Sequence, residues 1–391
     1  MKMRQYADAL QFAQRQVRHL IERHPDFLPM YTTGGRWHHA GEAWTDWCGG
    51  FLAGMMWLFH QRTGDAWWRT QAEHYSNLLE HRKLDRHVHD LGFIFLNTHR
   101  RWFEVSSDPS RMDIVAEAGV TLAGRFQPEG LYLASFIGPH SLFIDIMMNV
   151  PLLYVAAEWL EGQYRVEGSV ASDELNAEIA TISGMLRFTA IAHCLTSLEY
   201  LVRPDGSTAH EAVFDTATGE FLRESTQQGL RADSCWSRGQ AWALYGFGTA
   251  FRHTGDEDYL QTACRCADYF LARLPASQVP YWDFDVPDGQ NQPWDSSAAA
   301  IAASGLLQLA ELTERTPDVA TRYREAALRI LDALCSDQFL ASSTAGEEGI
   351  LLHAVYHIHK GLGVDESVMW GDHFFVEALV KALTWMEKER G

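Results

Sequence analysis

The sequence predicts an all-α fold, an (α/α)6 barrel of alternating inner and outer helices with a small inserted β-hairpin. Three observations carry this. Six times a short polar cluster containing an aspartate or arginine runs straight into a long apolar stretch. Between those stretches lie segments with the one-sided, 3.6-residue periodicity of half-exposed helices. Near the middle, one run abandons helical spacing for short alternating stretches joined by turns.

The six apolar segments are headed by Asp46, His89, Ile144, Trp236, Asp295 and Trp370. Each opens on a loop-like head rich in Gly, Asp, Ser and Trp and continues for about four turns of apolar and small residues. A helix apolar on all sides is buried on all sides, which makes these the inner layer. The outer stripes fall at residues 4–22, 65–81, 110–125, 173–194 and 320–336, with one more after the GDED at 255–258. There Tyr259, Leu260, Ala263, Ala267, Phe270, Leu271 and Leu274 form an apolar face, while Asp258, Gln261, Arg265, Asp268 and Arg273 lie off it. Twelve alternating helices make a closed double ring, and the polar heads gather at one of its ends. The run from Leu201 to Asp233, with PDG and ATG turns, reads as the hairpin before the fourth inner helix. The aromatic, acidic and Pro-containing stretch from Val279 to Trp294 reads as a loop, and both insertions are expected on the rim of a pocket.

A closed barrel holds all 391 residues in one domain, 1–391, and 47% hydrophobic content fits a large core. The net charge of −19 disfavours nucleic acid or an anionic membrane as partner, because a broad negative field repels both. A small anion can still bind where Arg, Lys and His converge. Cys48, Cys194, Cys235, Cys264, Cys266 and Cys335 form no CxxC pair and are expected as buried, reduced thiols. The charged N-terminal stretch is unlike a signal peptide and no later segment reads as membrane-spanning, so a cytoplasmic location is expected. His87, His89 and Asp90, even with His210, Glu211, His357 and His359, lack a metal-site spacing such as HExxH. Gly229, Gly239 and Gly246 form no GxGxxG after a strand, so neither metal nor nucleotide cofactor is expected.

Asp90 and Asp145 stand out chemically, each heading an apolar helix with no cationic partner adjacent in sequence. Set against Phe143, Ile144, Ile146, Met147 and Met148, the Asp145 carboxyl is desolvated, which favours its protonated form and suits a general acid. The competing reading is helix capping, in which each carboxylate accepts backbone N–H bonds. Trp44, Trp47, Trp236, Trp242, Tyr281, Trp282, Trp294 and Trp370 lie in or beside the polar heads. Rings interleaved with Gln, Asp and His suit a saccharide, whose C–H faces stack while its hydroxyls hydrogen-bond, although roughly half of the eight are expected as ordinary core aromatics.

Taken in order, HDLGF at 89–93, IDIMMNVPLL at 144–153, WSRGQAWALYGF at 236–247, YWDFDVP at 281–287, DSSAAAI at 295–301 and WGDHFFVEAL at 370–379 resemble glycoside hydrolase family 88, the unsaturated glucuronyl hydrolases. The resemblance spans nearly the whole chain. It implies removal of the Δ4,5-unsaturated uronic acid that polysaccharide lyases leave at the non-reducing end of glycosaminoglycan-type di- or oligosaccharides. In that family water adds across the C4=C5 vinyl ether and the anomeric carbon is not attacked directly. The family's acid/base matches Asp145 and its second catalytic aspartate Asp90. Trp47 fits its stacking tryptophan, and His89 adjoins the second aspartate. His210, Gln228, Arg238 and Trp242 match groups around the water and the uronate. Arg238 and Trp242, four apart on a helix, would face one ligand, with the arginine fork on the substrate carboxylate.

Two departures stand out. Phe136 occupies a position where many relatives carry tryptophan, keeping a stacking face without the indole N–H. Near the C-terminus Val355 and Ile358 replace the serines of a Ser-x-x-Ser-x-Lys pattern associated with sulfated substrates, while Lys360 is kept. Alternatives are an unsaturated rhamnogalacturonyl hydrolase, a barrel sugar epimerase using paired histidines, or a non-catalytic carbohydrate-binding barrel. The oligomeric state is not legible.

Overall fold

In the computed structural model, residues 2–38, 46–164, 173–287 and 292–390 are described. Trp44 and part of the loop at 279–294 therefore lie outside the described residues. The double ring is present. Its outer layer consists of α1 (Lys2–Arg23), α3 (Ala66–Leu78), α6 (Pro109–Ala123), α8 (Asp173–Leu201), α10 (Glu257–Ala272) and α12 (Pro317–Leu334). The inner layer consists of α2 (Gly49–Thr63), α4 (Leu91–Phe95) with α5 (His99–Ser106), α7 (Pro151–Tyr164), α9 (Ser237–Thr254), α11 (Ser296–Leu312) and α13 (Met369–Lys388). Burial follows the sequence pattern: α11 is buried without interruption from Ser296 to Ala310, whereas α10 buries one stripe, Tyr259, Thr262, Ala263, Cys266, Ala267 and Phe270. All six cysteines are unbridged.

The second inner helix is broken where a single one was expected. Asn97 Nδ2 donates to Phe93 O and Thr98 Oγ1 to Ile94 O, so side chains occupy carbonyls at the break, and Thr98 leaves helical geometry at φ −113°, ψ −92°. The third inner helix starts as a 3-10 turn, Ile144–Met148, because Pro151, opening α7, has no N–H to continue a ladder backwards.

The predicted hairpin is β6 (Glu211–Phe214) with β7 (Phe221–Ser225), antiparallel, and β5 (Ser141–Phe143) adds a third strand on the β6 side. Three further antiparallel pairs escaped the sequence reading: β1 (Thr32–Thr33) with β2 (Arg36–Trp37), β3 (Phe126–Gln127) with β4 (Tyr132–Leu133), and β8 (Ala354–His357) with β9 (Leu362–Glu366). The first two pairs are strands of two residues, which carry no period to read, and β8 is buried on both faces, so it shows no alternation either.

Glycines set the spacing where the inner helices meet. A Cβ on Gly92 would stand 2.5 Å from Asn149 Cα, and one on Gly246 2.7 Å from Met147 O, so α4 and α9 both approach the 3-10 turn at backbone distance. One outer helix departs from expectation. Among the described residues, Asn176–Leu201 of α8 is long and apolar enough to cross a membrane, contrary to the sequence reading, yet half of it is buried within the barrel wall. The other half exposes Met185, Phe188, Ile191 and Leu195.

Candidate active site

The polar heads of the inner helices converge on a cavity of ≈ 310 Å³ at one mouth of the barrel. Asp90 and Asp145 both line it. Asp90 occupies the N-cap position of α4 but its side chain makes no capping bond, and Asp145 Oδ2 is buried without a hydrogen-bond partner in the protein. Asp295, which heads α11, does cap, accepting from Ser297 N and Ala298 N. The capping reading thus describes Asp295 and fails for the other two.

Asn149 ties the two aspartate-bearing segments together. Its Oδ1 accepts from Phe93 N at 2.8 Å, three residues after Asp90, while its Nδ2 donates to Asp145 O at 3.3 Å. With Gly92 against its Cα, this fully buried amide fixes the offset between the two acids.

Each aspartate faces a histidine held in the same way. Phe136 N donates to His89 Nδ1 at 3.1 Å, and Gln227 N donates to His210 Nδ1 at 3.0 Å. A backbone N–H can only donate, so Nδ1 carries the lone pair and Nε2 the proton in both rings. His89 Nε2 lies 3.3 Å from Asp90 Oδ1, and His210 Nε2 lies 3.6 Å from Asp145 Oδ2. Burial holds both imidazoles neutral, pushing His89 well below the usual range and His210 down to about 3. Neither ring offers the cavity a basic nitrogen, which removes the basis of the epimerase reading.

Burial acts oppositely on the carboxyls. Asp90 is pushed up to about 8, by desolvation and then by the Asp145 charge, against Arg82 and Arg125. Desolvation pushes Asp145 up to about 6, against the pull of the Arg238 cation. At neutral pH the first acid is mostly protonated, while the second is mostly carboxylate and keeps a minority acid form that grows as pH falls toward 6.

Arg238 corrects a sequence expectation. It lines the cavity, but its fork is committed inside the protein: Nη1 donates to Asp295 Oδ2 and Val355 O, Nη2 to Gln228 Oε1 and Tyr356 O. It therefore orients Gln228 and supplies charge instead of clamping a substrate carboxylate. Trp242 is a second correction. One turn deeper on α9, it does not line the cavity and packs between Phe93 and Phe374 at ring distances of 5.1 and 5.3 Å. His210 likewise stands behind Asp145, off the lining, against Phe143 and Trp236.

Of the tryptophans and the tyrosine singled out from sequence beside the polar heads, Trp47 alone among the described residues lines the cavity. It rests on Trp370 with ring centroids 4.7 Å apart. Phe136 lines it too, stacked on His89 at 5.6 Å. The remaining apolar wall comes from Ile137, Phe143 and Tyr356, which no motif marked. Gln227, Gln228, His357 and Lys360 complete the lining. The rim expectation holds for the segment after β7 that carries Gln227 and Gln228, whereas no described residue of 279–294 lines the cavity. Asp283 accepts from Leu230 N and Ser234 Oγ and so pins the segment that follows β7. Lys360 is exposed at the rim, while Val355 is buried and, like Ile358, does not line the cavity. Burial and the Lys360 charge push His357 down to about 4, so it is neutral.

Two protonatable carboxyls among aromatic rings, at the mouth of an (α/α)6 barrel, define a carbohydrate-processing barrel. No protein-family model matches the chain. Over 350 residues it is 34% identical to an unsaturated glucuronyl hydrolase of Bacillus sp. strain GL1, covering 86% of each chain. It is similar to the crystal structure of an unsaturated glucuronyl hydrolase, responsible for the degradation of glycosaminoglycan, from Bacillus sp. GL1. The TM-score is 0.84 at 31% identity, over 97% of this chain and 96% of that one. An aspartate-to-asparagine mutant of the Streptococcus agalactiae enzyme, complexed with dGlcA-GalNAc6S, matches with a TM-score of 0.77 at 29% identity, over 97% and 92%. The chain belongs to the unsaturated glucuronyl hydrolases, glycoside hydrolase family 88.

Proposed function

We propose that the protein removes the Δ4,5-unsaturated uronic acid from the non-reducing end of lyase-generated, glycosaminoglycan-type oligosaccharides by hydrating the C4=C5 vinyl ether. The observation that carries this reading is the pair Asp90 and Asp145 in one cavity, neither capping a helix, each facing a neutral imidazole N–H.

Asp145 in its acid form donates its proton to C4, and positive charge develops at C5 and the ring oxygen. The resulting carboxylate then takes a proton from the water whose oxygen bonds to C5, which returns Asp145 to its acid form. The C5 hemiketal opens to a ketone, and the hemiacetal left at C1 breaks into an aldehyde and the free hydroxyl of the shortened saccharide. No group attacks C1, so the carboxylate-separation rule for retention and inversion does not apply. Asp90, neutral at pH 7, donates a hydrogen bond to a sugar hydroxyl without adding negative charge beside the uronate. Trp47, Phe136 and Tyr356 supply stacking faces, and Gln228, oriented by Arg238, presents a polar group to the water or uronate.

The test follows the ultraviolet band of the conjugated double bond in unsaturated chondroitin, heparin and rhamnogalacturonan disaccharides. Wild type bleaches the band and releases a smaller saccharide, fastest with a glycosaminoglycan aglycone, and Asp145→Asn loses activity by orders of magnitude. An Asp145→Asn protein that keeps most of its rate removes Asp145 from the acid role.

A further inference from the structure

Helix α8 carries an apolar face that the barrel leaves in solvent. Met185, Phe188, Ile191 and Leu195 are 44%, 57%, 40% and 48% exposed. Ala177, Thr181, Gly184, Phe188, Ile191 and Leu195 are all exposed and uncharged, and they succeed one another at spacings of 4, 3, 4, 3 and 4 residues. That is the seam repeat of paired helices, on a helix whose opposite side is already buried.

The order of residues along the seam is self-complementary. An antiparallel pairing about a two-fold axis through position 186 sets Gly184 against Phe188 of a second copy, Thr181 against Ile191, and Ala177 against Leu195. Every pair joins a small residue to a large one. A Cβ at Gly184 would meet nothing within 4 Å, so the notch opposite Phe188 is open.

We propose that α8 is the two-fold interface of a homodimer, packed antiparallel against α8 of a second copy of this chain. The six seam positions carry no charge, so two chains of net charge −19 can meet along them without setting like charges against each other there, while the exposed Glu178 and Glu199 flank the seam and weaken the pairing. The same net charge repels an anionic bilayer, which would in any case have no use for a small-to-large order. Area sets the strength. The seam and its neighbours Phe126, 5.9 Å from Phe188, and Leu131, about half exposed, whose carbonyl accepts from Thr196 of α8, offer on the order of 500 Å² per copy against ~800 Å² per partner in a standard interface. The dimer is therefore a dissociable one.

Sedimentation of the full chain over a hundredfold concentration range tests this. Wild type passes from monomer to dimer, and added salt tightens the dimer by screening mutual repulsion. Phe188→Glu and Ile191→Glu stay monomeric throughout and keep wild-type turnover of unsaturated disaccharides. The double variant Gly184→Cys/Phe188→Cys forms a disulfide-linked dimer on oxidation, while Ala177→Cys/Phe188→Cys, out of register, does not. A wild type that is monomeric at every concentration, a dimer that survives both glutamates, or cross-linking only in the second pair overturns the proposal. So does a monomer that binds neutral phosphatidylcholine vesicles through Phe188, which would assign the face to lipid.

Discussion

His210 Nε2 stands 3.6 Å from Asp145 Oδ2, close enough to orient the carboxyl and too far to hydrogen-bond it. Neither atom has a partner elsewhere in the protein. The gap cannot close by a ring flip, because Gln227 N and Gln228 N both point at Nδ1. Asp145 consequently keeps its proton available, and the acid limb of the reaction becomes measurable. With Asp145 ionising at about 6, kcat/KM is expected to be level below that pH and to fall with unit slope above it. His210→Ala should lower kcat by about 10- to 100-fold and move that limb, with KM much less affected. A limb that stays in place in His210→Ala would assign it to another group.

Asp90 makes stability depend on pH. It ionises at 3.8 when solvated and at about 8 in the fold, so unfolding between those values releases a proton. Stability contributed by this group is complete in acid, declines as pH rises through that window and levels off above it. Asp90→Asn, which never ionises, should melt higher than wild type at pH 8, by an amount that shrinks toward zero as pH approaches 4. Thermal unfolding of both proteins across that range decides it, and equal melting at pH 8 would refute the assignment.

Asn149 should control the relative placement of the two acids. Asn149→Ala strands Phe93 N and opens a hole under Gly92, a loss of about 1–3 kcal/mol. Asn149→Ser, which shortens the link, should lower kcat more than its smaller loss of stability accounts for. Steady-state kinetics set beside denaturant titrations of the two variants separate positioning from plain destabilisation.

Lys360 brings a cation to the rim, where His357 is neutral and Arg238 is bonded within the protein. Lys360→Ala is therefore expected to reduce kcat/KM for sulfated disaccharides severalfold more than for unsulfated ones, and the difference should narrow at high salt. Parallel assays of the two substrate sets read this out, and an equal loss on both would place Lys360 on the uronate.

The layered fold was legible because burial imposes itself on composition. The segments that became α9 and α11 are apolar on every side, and the stripe that became α10 is apolar on one. Asp90 and Asp145 were legible because a carboxyl heading an apolar helix is costly enough to need a reason. Other parts were hidden by tertiary context. Nothing in the spacing of Arg238 and Trp242 says that one guanidinium will meet four acceptors, or that one turn separates the cavity wall from the core. Tyr356 and His357 reach the lining from a hairpin whose pairing with β9 has no local signal. On α8 the expectation of a polar outer face failed, because an apolar stripe at helical spacing reads the same whether it faces the core or solvent.

The backbone approaches at Gly92 and Gly246 have a consequence for how such a catalyst can change over time. They weld the acid-bearing segments to one another from within, while the substrate's far end meets side chains hung on separate excursions of the chain, around Phe136, Gln228 and Lys360. Those excursions can be lengthened, trimmed or exchanged without disturbing the distance between the proton donor and its companion. Taste for a new polysaccharide can drift on the periphery while the reaction itself stays locked in the masonry.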